Sequence, residues 1–135
     1  MKNRKWPVVL LALLVVGLTV PGCGSHPKVT VTGKVMKNGQ PLKVSKQGAI
    51  QVIFIPIVEG ASGPPAVTYP AQVNNEAGTY EIKDIPTGKY KVSVCQFDPM
   101  PVNDLLKGEF QGEKTPITKE VTGKEPIDID VGKKG

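Results

Sequence analysis

The amino-acid sequence predicts an all-β protein, an antiparallel Greek-key β-sandwich of about seven strands that follows a cleaved helical signal peptide. Three observations predict this fold. Short runs of residues alternate between apolar and polar side chains, a period of two that turns one face of a strand inward. Turn-forming residues separate these runs at the spacing typical of sandwiches. After residue 22, no segment has the 3.6-residue apolar period of a helix.

The first 22 residues have the order of a secretory signal peptide. Residues 1–5 are short and basic, residues 6–20 are apolar apart from Thr19, and Pro21 and Gly22 end the block. The apolar run of roughly 15 residues is shorter than the ~20 that a helix needs to cross a bilayer. A cleaved signal peptide at 1–22 is therefore favoured over a simple transmembrane anchor, which is the alternative.

The end of this block resembles the lipobox of bacterial lipoproteins, with the residues Val20-Pro21-Gly22-Cys23, although Pro21 departs from the usual small residue. The resemblance implies a diacylglycerol thioether on Cys23, cleavage before it, and often acylation of the new amino group. Stable anchoring takes more than one acyl chain, because a single chain binds a membrane reversibly. An ordinary secretory signal that ends near a cysteine is the alternative reading.

A lipidated Cys23 would make residues 23–28 a short tether and would hold the exported chain at the cell envelope. The position after the cysteine is Gly24, not the aspartate that retains lipoproteins at the inner membrane in some Gram-negative bacteria. Gly24 favours delivery to the outer membrane or the cell surface over retention at the inner membrane.

The mature chain is expected to form one domain at residues 29–132, followed by a tail at 133–135. Asn38-Gly39 is a dipeptide suited to a tight turn between strands. Apolar residues on both faces of the run 49–57 predict a strand that is covered on both sides. The predicted strands lie near residues 29–36, 49–57, 71–73, 79–82, 89–97, 117–121 and 127–131.

Two stretches are similar to the carboxypeptidase regulatory-like domains, which have a transthyretin-like (prealbumin-like) sandwich. They read Val31-x-Gly33-x-Val35-x-x-Asn38-Gly39-x-Pro41-Leu42 and Asn75-x-x-Gly78-x-Tyr80-x-Ile82-x-x-Ile85-Pro86-x-Gly88-x-Tyr90-x-Val92-x-Val94. In this pattern, Tyr80 and Tyr90 point inward and their hydroxyl groups are expected to reach backbone at the rim. The resemblance covers roughly residues 29–97. It implies a non-catalytic accessory domain, because in those carboxypeptidases the metal and the chemistry belong to another domain.

The residue inventory argues against an enzyme, and no metal or cofactor site is predicted. His26 is the only histidine and lies in the tether, which leaves neither a His-rich zinc site nor a Ser-His-Asp triad. Cys95 has no histidine near it in sequence and is expected to be a small buried hydrophobe. Asp128 and Asp130 share one strand face and could hold a cation, but a solvent-facing acidic edge explains them better.

Charge and aromatic content narrow the kind of partner. The chain has 17 basic and 12 acidic residues, a formal charge of +5. Three of the basic residues leave with the signal peptide, so the charge of the mature chain falls to +2. This small excess does not indicate nucleic-acid binding. The favoured function is a structural or protein-interaction module at the envelope. The alternative is a carbohydrate or small-ligand binding module, for which Tyr69 and Phe110 are the candidate contacts because they lie in or near the predicted loops.

Overall fold

The computed structural model describes residues 25–132. The predicted signal peptide at 1–22, the lipidation site Cys23 and the tail at 133–135 therefore lie outside the described residues. Within the described range, nine strands and one turn of 3₁₀-helix at Gly112–Lys114 are formed. The strands are β1 (Lys28–Lys37), β2 (Gln40–Pro41), β3 (Ala49–Pro56), β4 (Tyr69–Pro70), β5 (Gln72–Asn74), β6 (Thr79–Pro86), β7 (Gly88–Phe97), β8 (Thr118–Val121) and β9 (Ile129–Asp130).

The strands form two sheets, and the predicted all-β antiparallel sandwich is confirmed. The first sheet has the order β2-β1-β6-β5, with β9 also paired to β1, and the second has the order β4-β3-β7-β8. Neighbouring strands are antiparallel except for the short parallel pair of β1 and β9. The seven predicted runs correspond to all strands but β2 and β4, which are two residues long and so have no period to detect.

The hydrophobic core fills the space between the inner faces of the two sheets. Phe54 lies at its centre, with its ring centroid 5.9 Å from those of both Tyr80 and Tyr90. The two tyrosine hydroxyl groups reach backbone at the rim, as predicted. Tyr80 donates to the Ile127 carbonyl at 2.5 Å, and Tyr90 donates to the Pro86 carbonyl at 2.6 Å.

The outer face of the second sheet is covered in part, so the prediction from the run 49–57 holds at Ile55 but not at Gln51, which is exposed. Ile55 on β3 and Cys95 on β7 both point away from the core and are nevertheless buried. Burial raises the pKa of the Cys95 thiol, so the thiol stays protonated at neutral pH. This agrees with the expectation that Cys95 is a small buried hydrophobe.

The sandwich has two distinct ends, which we call the tether end and the distal end. At the tether end the described chain begins, and the Thr87 amide donates to the Pro27 carbonyl at 3.0 Å beside the turn between β6 and β7. From this turn, β7 runs ten residues to Phe97 at the distal end. Ten residues of extended strand span about 30 Å. The distal end is thus one sandwich length away from the tether.

Candidate interaction surfaces

A loop leaves the distal end of β7 and returns along its free edge. Phe97 forms a bridge with Asp104, after which the Leu105 amide donates to the Gln96 carbonyl at 2.8 Å. Further along, the Val94 amide donates to the Phe110 carbonyl at 2.9 Å. The returning segment continues the edge of the second sheet from Leu105 onward, so residues 98–104 are the part of this loop that lies beyond β7.

One carboxylate fixes the return of this loop. The Oδ1 atom of Asp104 accepts hydrogen bonds of 3.0 Å from the amides of Gln96 and Leu106, and its Oδ2 atom accepts one of 2.9 Å from the Gly108 amide. Charged acceptors form stronger hydrogen bonds than neutral ones. A single side chain therefore holds the base of the loop to β7.

A second carboxylate fixes the departure of the loop. Asp98 accepts hydrogen bonds from the Ser45 amide at 2.8 Å and from the Ser45 hydroxyl at 2.5 Å, and these bonds lower the pKa of the Asp98 carboxyl. The Met100 amide donates to the Gln47 carbonyl at 2.9 Å. The loop is thus tied to the connection between β2 and β3 as well as to β7.

The tip of this ordered loop is apolar and open to solvent. Met100 and Val102 are 53% and 84% exposed at the tip, and Leu105, where the loop rejoins β7, is 43% exposed. We call residues 99–105 the distal apolar loop. Exposed apolar side chains on a fixed surface backbone are typical of protein interaction sites, and a preformed backbone lowers the entropy lost on binding.

A second apolar surface lies at the tether end. Ile57, Val58 and Val67 are 40%, 62% and 55% exposed, and they line an open groove of about 660 Å³ between β3 and the Gly- and Pro-rich segment 58–68. Lys91 lies at its margin, where its Nζ atom donates to the Glu113 carbonyl at 3.0 Å. We call this surface the tether-end groove.

The structure separates the two aromatic residues predicted as ligand contacts. The prediction of an accessible ring at Phe110 is wrong, because Phe110 is only 4% exposed and packs in the core. Tyr69 is half-buried and packs edge-on against Tyr90, with ring centroids 5.9 Å apart. Tyr69 borders β3 and Phe110 borders the opposite edge of β7, so the two rings form no common platform.

Asp128 and Asp130 accept hydrogen bonds from backbone amides of β1 and of the turn that follows it. Asp128 accepts a hydrogen bond of 2.9 Å from the Lys34 amide, and Asp130 accepts bonds of 2.9 and 3.0 Å from the amides of Asn38 and Gly39. The interpretation of these residues as a merely solvent-facing edge is thus incomplete. A sequence pattern shows which face a carboxylate shares but not which distant amide it reaches.

Among residues 25–132, no group of three or more His, Cys, Asp or Glu side chains is placed to hold a metal ion. His26 is exposed and lies two residues before β1. Over the same range, no helix is long and apolar enough to cross a bilayer. The sequence matches no protein-family model, and comparisons with curated proteins and with solved structures give no match.

Proposed function

We propose that this chain is an envelope lipoprotein, anchored by acyl chains on Cys23, whose non-catalytic sandwich presents the distal apolar loop to a protein partner. The lipobox-like residues before Cys23 support the anchor, and Gly24 favours delivery to the outer membrane or cell surface. The resemblance to carboxypeptidase regulatory-like domains, whose fold class agrees with the two sheets, supports an accessory role without chemistry.

The observation that carries the proposal is the exposure of Met100, Val102 and Leu105 on a backbone that is hydrogen-bonded at both ends. Exposed apolar side chains cost solubility unless they are covered in a complex. The loop also lies about one sandwich length, roughly 30 Å, from the tether. An anchored domain in this orientation would hold the loop away from the membrane and accessible to other envelope proteins.

The test is crosslinking in the native envelope through a photoreactive residue placed at position 102. We expect one or a few defined envelope proteins to be captured with the wild-type loop, and the capture to fall at least about tenfold when Met100→Asp is added, because a charge is then desolvated in the contact. Thr118→Asp is the matched control, since it adds the same charge at an exposed position on β8. Equal capture with both changes would contradict the proposal.

The anchor has its own test, which does not depend on the partner. Mass spectrometry of the N-terminal peptide should find acylated Cys23 as the first residue, and Cys23→Ser should release the protein from the membrane fraction. A mature chain that starts elsewhere, or membrane retention unchanged in Cys23→Ser, would overturn the lipoprotein assignment.

A carbohydrate-binding module remains the alternative prediction, with Tyr69 as its one accessible aromatic candidate from the sequence. The edge-on packing of Tyr69 against Tyr90 gives this ring a structural role and exposes only part of it. Retention on a glycan array that disappears in Tyr69→Ala but persists in Met100→Asp would favour this alternative.

A further inference from the structure

The tether-end groove adjoins the point where the anchored segment joins the domain. The Ile57 amide donates to the Lys89 carbonyl at 3.0 Å, and Thr87, two residues before Lys89, donates to the Pro27 carbonyl at 3.0 Å. Two hydrogen bonds and one short turn thus connect the rim of the groove to the tether.

The tether is too short to keep this end of the sandwich far from a membrane. Three residues lie between Cys23 and Pro27. The four steps from one to the other span at most about 3.6 Å each in a fully extended chain, or roughly 14 Å in total. With acyl chains on Cys23 in the bilayer, Pro27 stays within roughly 14 Å of the anchored residue, which is about two headgroup layers. The tether-end groove is connected to Pro27 through only two hydrogen bonds and one turn, so it can reach the membrane surface.

The chemistry of the groove fits a lipid surface. Its lining is mostly apolar, with Ile57, Val58 and Val67 exposed at the rim. Apolar side chains next to an anchor gain stability when they enter the boundary between headgroups and acyl chains. The two charged residues that line the groove, Lys91 and Glu113, have opposite signs, so the contact depends on apolar burial more than on anionic lipid.

We infer that the tether-end groove rests on the membrane and is a second, non-covalent lipid contact beside the acyl chains. The inference depends on the proposed lipidation of Cys23. The contact fixes the tilt of the domain relative to the bilayer, because the groove attaches one side of the tether end to the membrane. With the tether alone, the domain would rotate freely about Cys23. It thereby directs the distal apolar loop away from the bilayer.

The test uses the full chain, expressed with its own first 22 residues and purified from membranes, in a Cys95→Ala background. An environment-sensitive fluorophore is attached at Val58→Cys or, in a second protein, at Val67→Cys. Val102→Cys, in the distal apolar loop, is the matched control. The proteins are reconstituted in vesicles of phosphatidylethanolamine and phosphatidylglycerol with phosphatidylcholine brominated on its acyl chains as the quencher.

We expect strong quenching at positions 58 and 67 and almost none at 102, with the same result when phosphatidylglycerol is replaced by zwitterionic lipid. Quenching at 58 and 67 no greater than at 102 would overturn the inference. A second result would also overturn the inference. If the blue shift of the emission at position 58 grows with protein density and the brominated lipid does not quench it, the groove binds a second copy of the chain.

Mass analysis of the same samples separates failure of this inference from failure of the anchor. An acylated Cys23 together with unquenched labels overturns the membrane contact alone. A protein that lacks acyl chains overturns both proposals. A third outcome is a protein that retains residues 1–22 and whose labels are shielded from water but not quenched by lipid. That outcome would mean that the apolar segment 6–20 of the chain itself occupies the groove, and it would overturn the lipid contact.

Discussion

The Tyr80 hydroxyl donates a 2.5 Å hydrogen bond to the carbonyl of Ile127, a residue 47 positions further along the chain. On its other side, the Ile127 backbone lies against β1, where its amide donates to the Thr32 carbonyl at 2.8 Å. The segment around Ile127 can lie this close to β1 only because Gly33 has no side chain. A Cβ at position 33 would overlap the Ile127 carbonyl. Tyr80 and Gly33 together hold the C-terminal segment on the first sheet.

Gly33→Ala should destabilise the domain by about 2–3 kcal/mol. The added methyl group meets backbone and the edge of the buried Tyr80 ring, neither of which can move without disturbing the core, and overpacking of this kind costs about 1–3 kcal/mol. Urea unfolding measures the change. Thr32→Ala, at an exposed neighbouring position, is the control and should shift stability by less than about 0.5 kcal/mol. Equal effects of the two changes would refute the close approach.

Tyr80→Phe should cost about 1–2 kcal/mol, because it keeps the ring but leaves the Ile127 carbonyl without its hydroxyl partner. Amide hydrogen exchange should rise first at Ile127, whose backbone loses one of its two ties to the sheet. The contrary result would be unchanged exchange at Ile127 and a loss of protection throughout β7. It would show that the Tyr80 hydroxyl stabilises the core in general and does not hold the segment around Ile127.

Alkaline pH should destabilise the fold through its buried tyrosines. Burial raises the pKa of Tyr90 to about 12 and raises that of Tyr80 further, in each case by disfavouring the phenolate. The pKa of Tyr90 is near 10 in the unfolded chain and about 12 in the folded protein. Its contribution to the free energy of unfolding is therefore fully present below pH 10 and is lost as the pH rises towards 12. Unfolding free energy measured across this window should fall less steeply in Tyr90→Phe than in wild type. A parallel decline in both proteins would contradict the assignment.

Asp104→Ala should destabilise the protein by about 2–3 kcal/mol, because three backbone amides lose a charged acceptor at once. Asp104→Asn is the matched comparison, since an amide oxygen can still accept the two bonds made by Oδ1. The difference should appear in hydrogen exchange of the Gly108 amide. If Asp104→Ala leaves partner capture through position 102 intact, the ordered backbone is not needed for the proposed interaction.

Cys95 should be unreactive in the folded protein. Its side chain is 2% exposed, and burial raises the pKa of the thiol, so both access and thiolate content are low. A maleimide added to the acylated protein should modify no thiol until guanidinium unfolds the chain, whereas Val102→Cys should react at once. Fast native labelling of Cys95 would mean that the cover over the outer face of the second sheet opens readily.

Local patterns were sufficient for most of the fold. Seven of the nine strands in residues 25–132 were predicted from the sequence. Apolar alternation marks β1, β7 and β9, because a strand with one buried face repeats every two residues, and the longer apolar run 49–57 marks β3. Both tyrosine hydroxyl contacts were expected, since an inward ring near the rim places its hydroxyl close to backbone. Phe110 shows the limit, because its segment has no period, and only its return along β7 makes the ring part of the core.

The candidate surfaces were harder to predict than the core. Nothing in the order of residues 98–105 shows that Asp98 reaches Ser45 or that Asp104 reaches back to β7. Without those bonds, Met100 and Val102 are simply apolar residues in a loop. Likewise, the proximity of Ile57 to Pro27 depends on Lys89 and Thr87, which are distant from both in sequence.

The sequence by itself determined the features that depend on neighbours along the chain. These are the order of charge and hydropathy before Cys23, the strand period, the turn at Asn38-Gly39, and a residue inventory with a single histidine outside the predicted domain. Tertiary structure alone decided which apolar side chains stay exposed and at which end of the sandwich they lie. Exposure depends on chain segments that meet only after the strands have paired, and no local pattern carries that information.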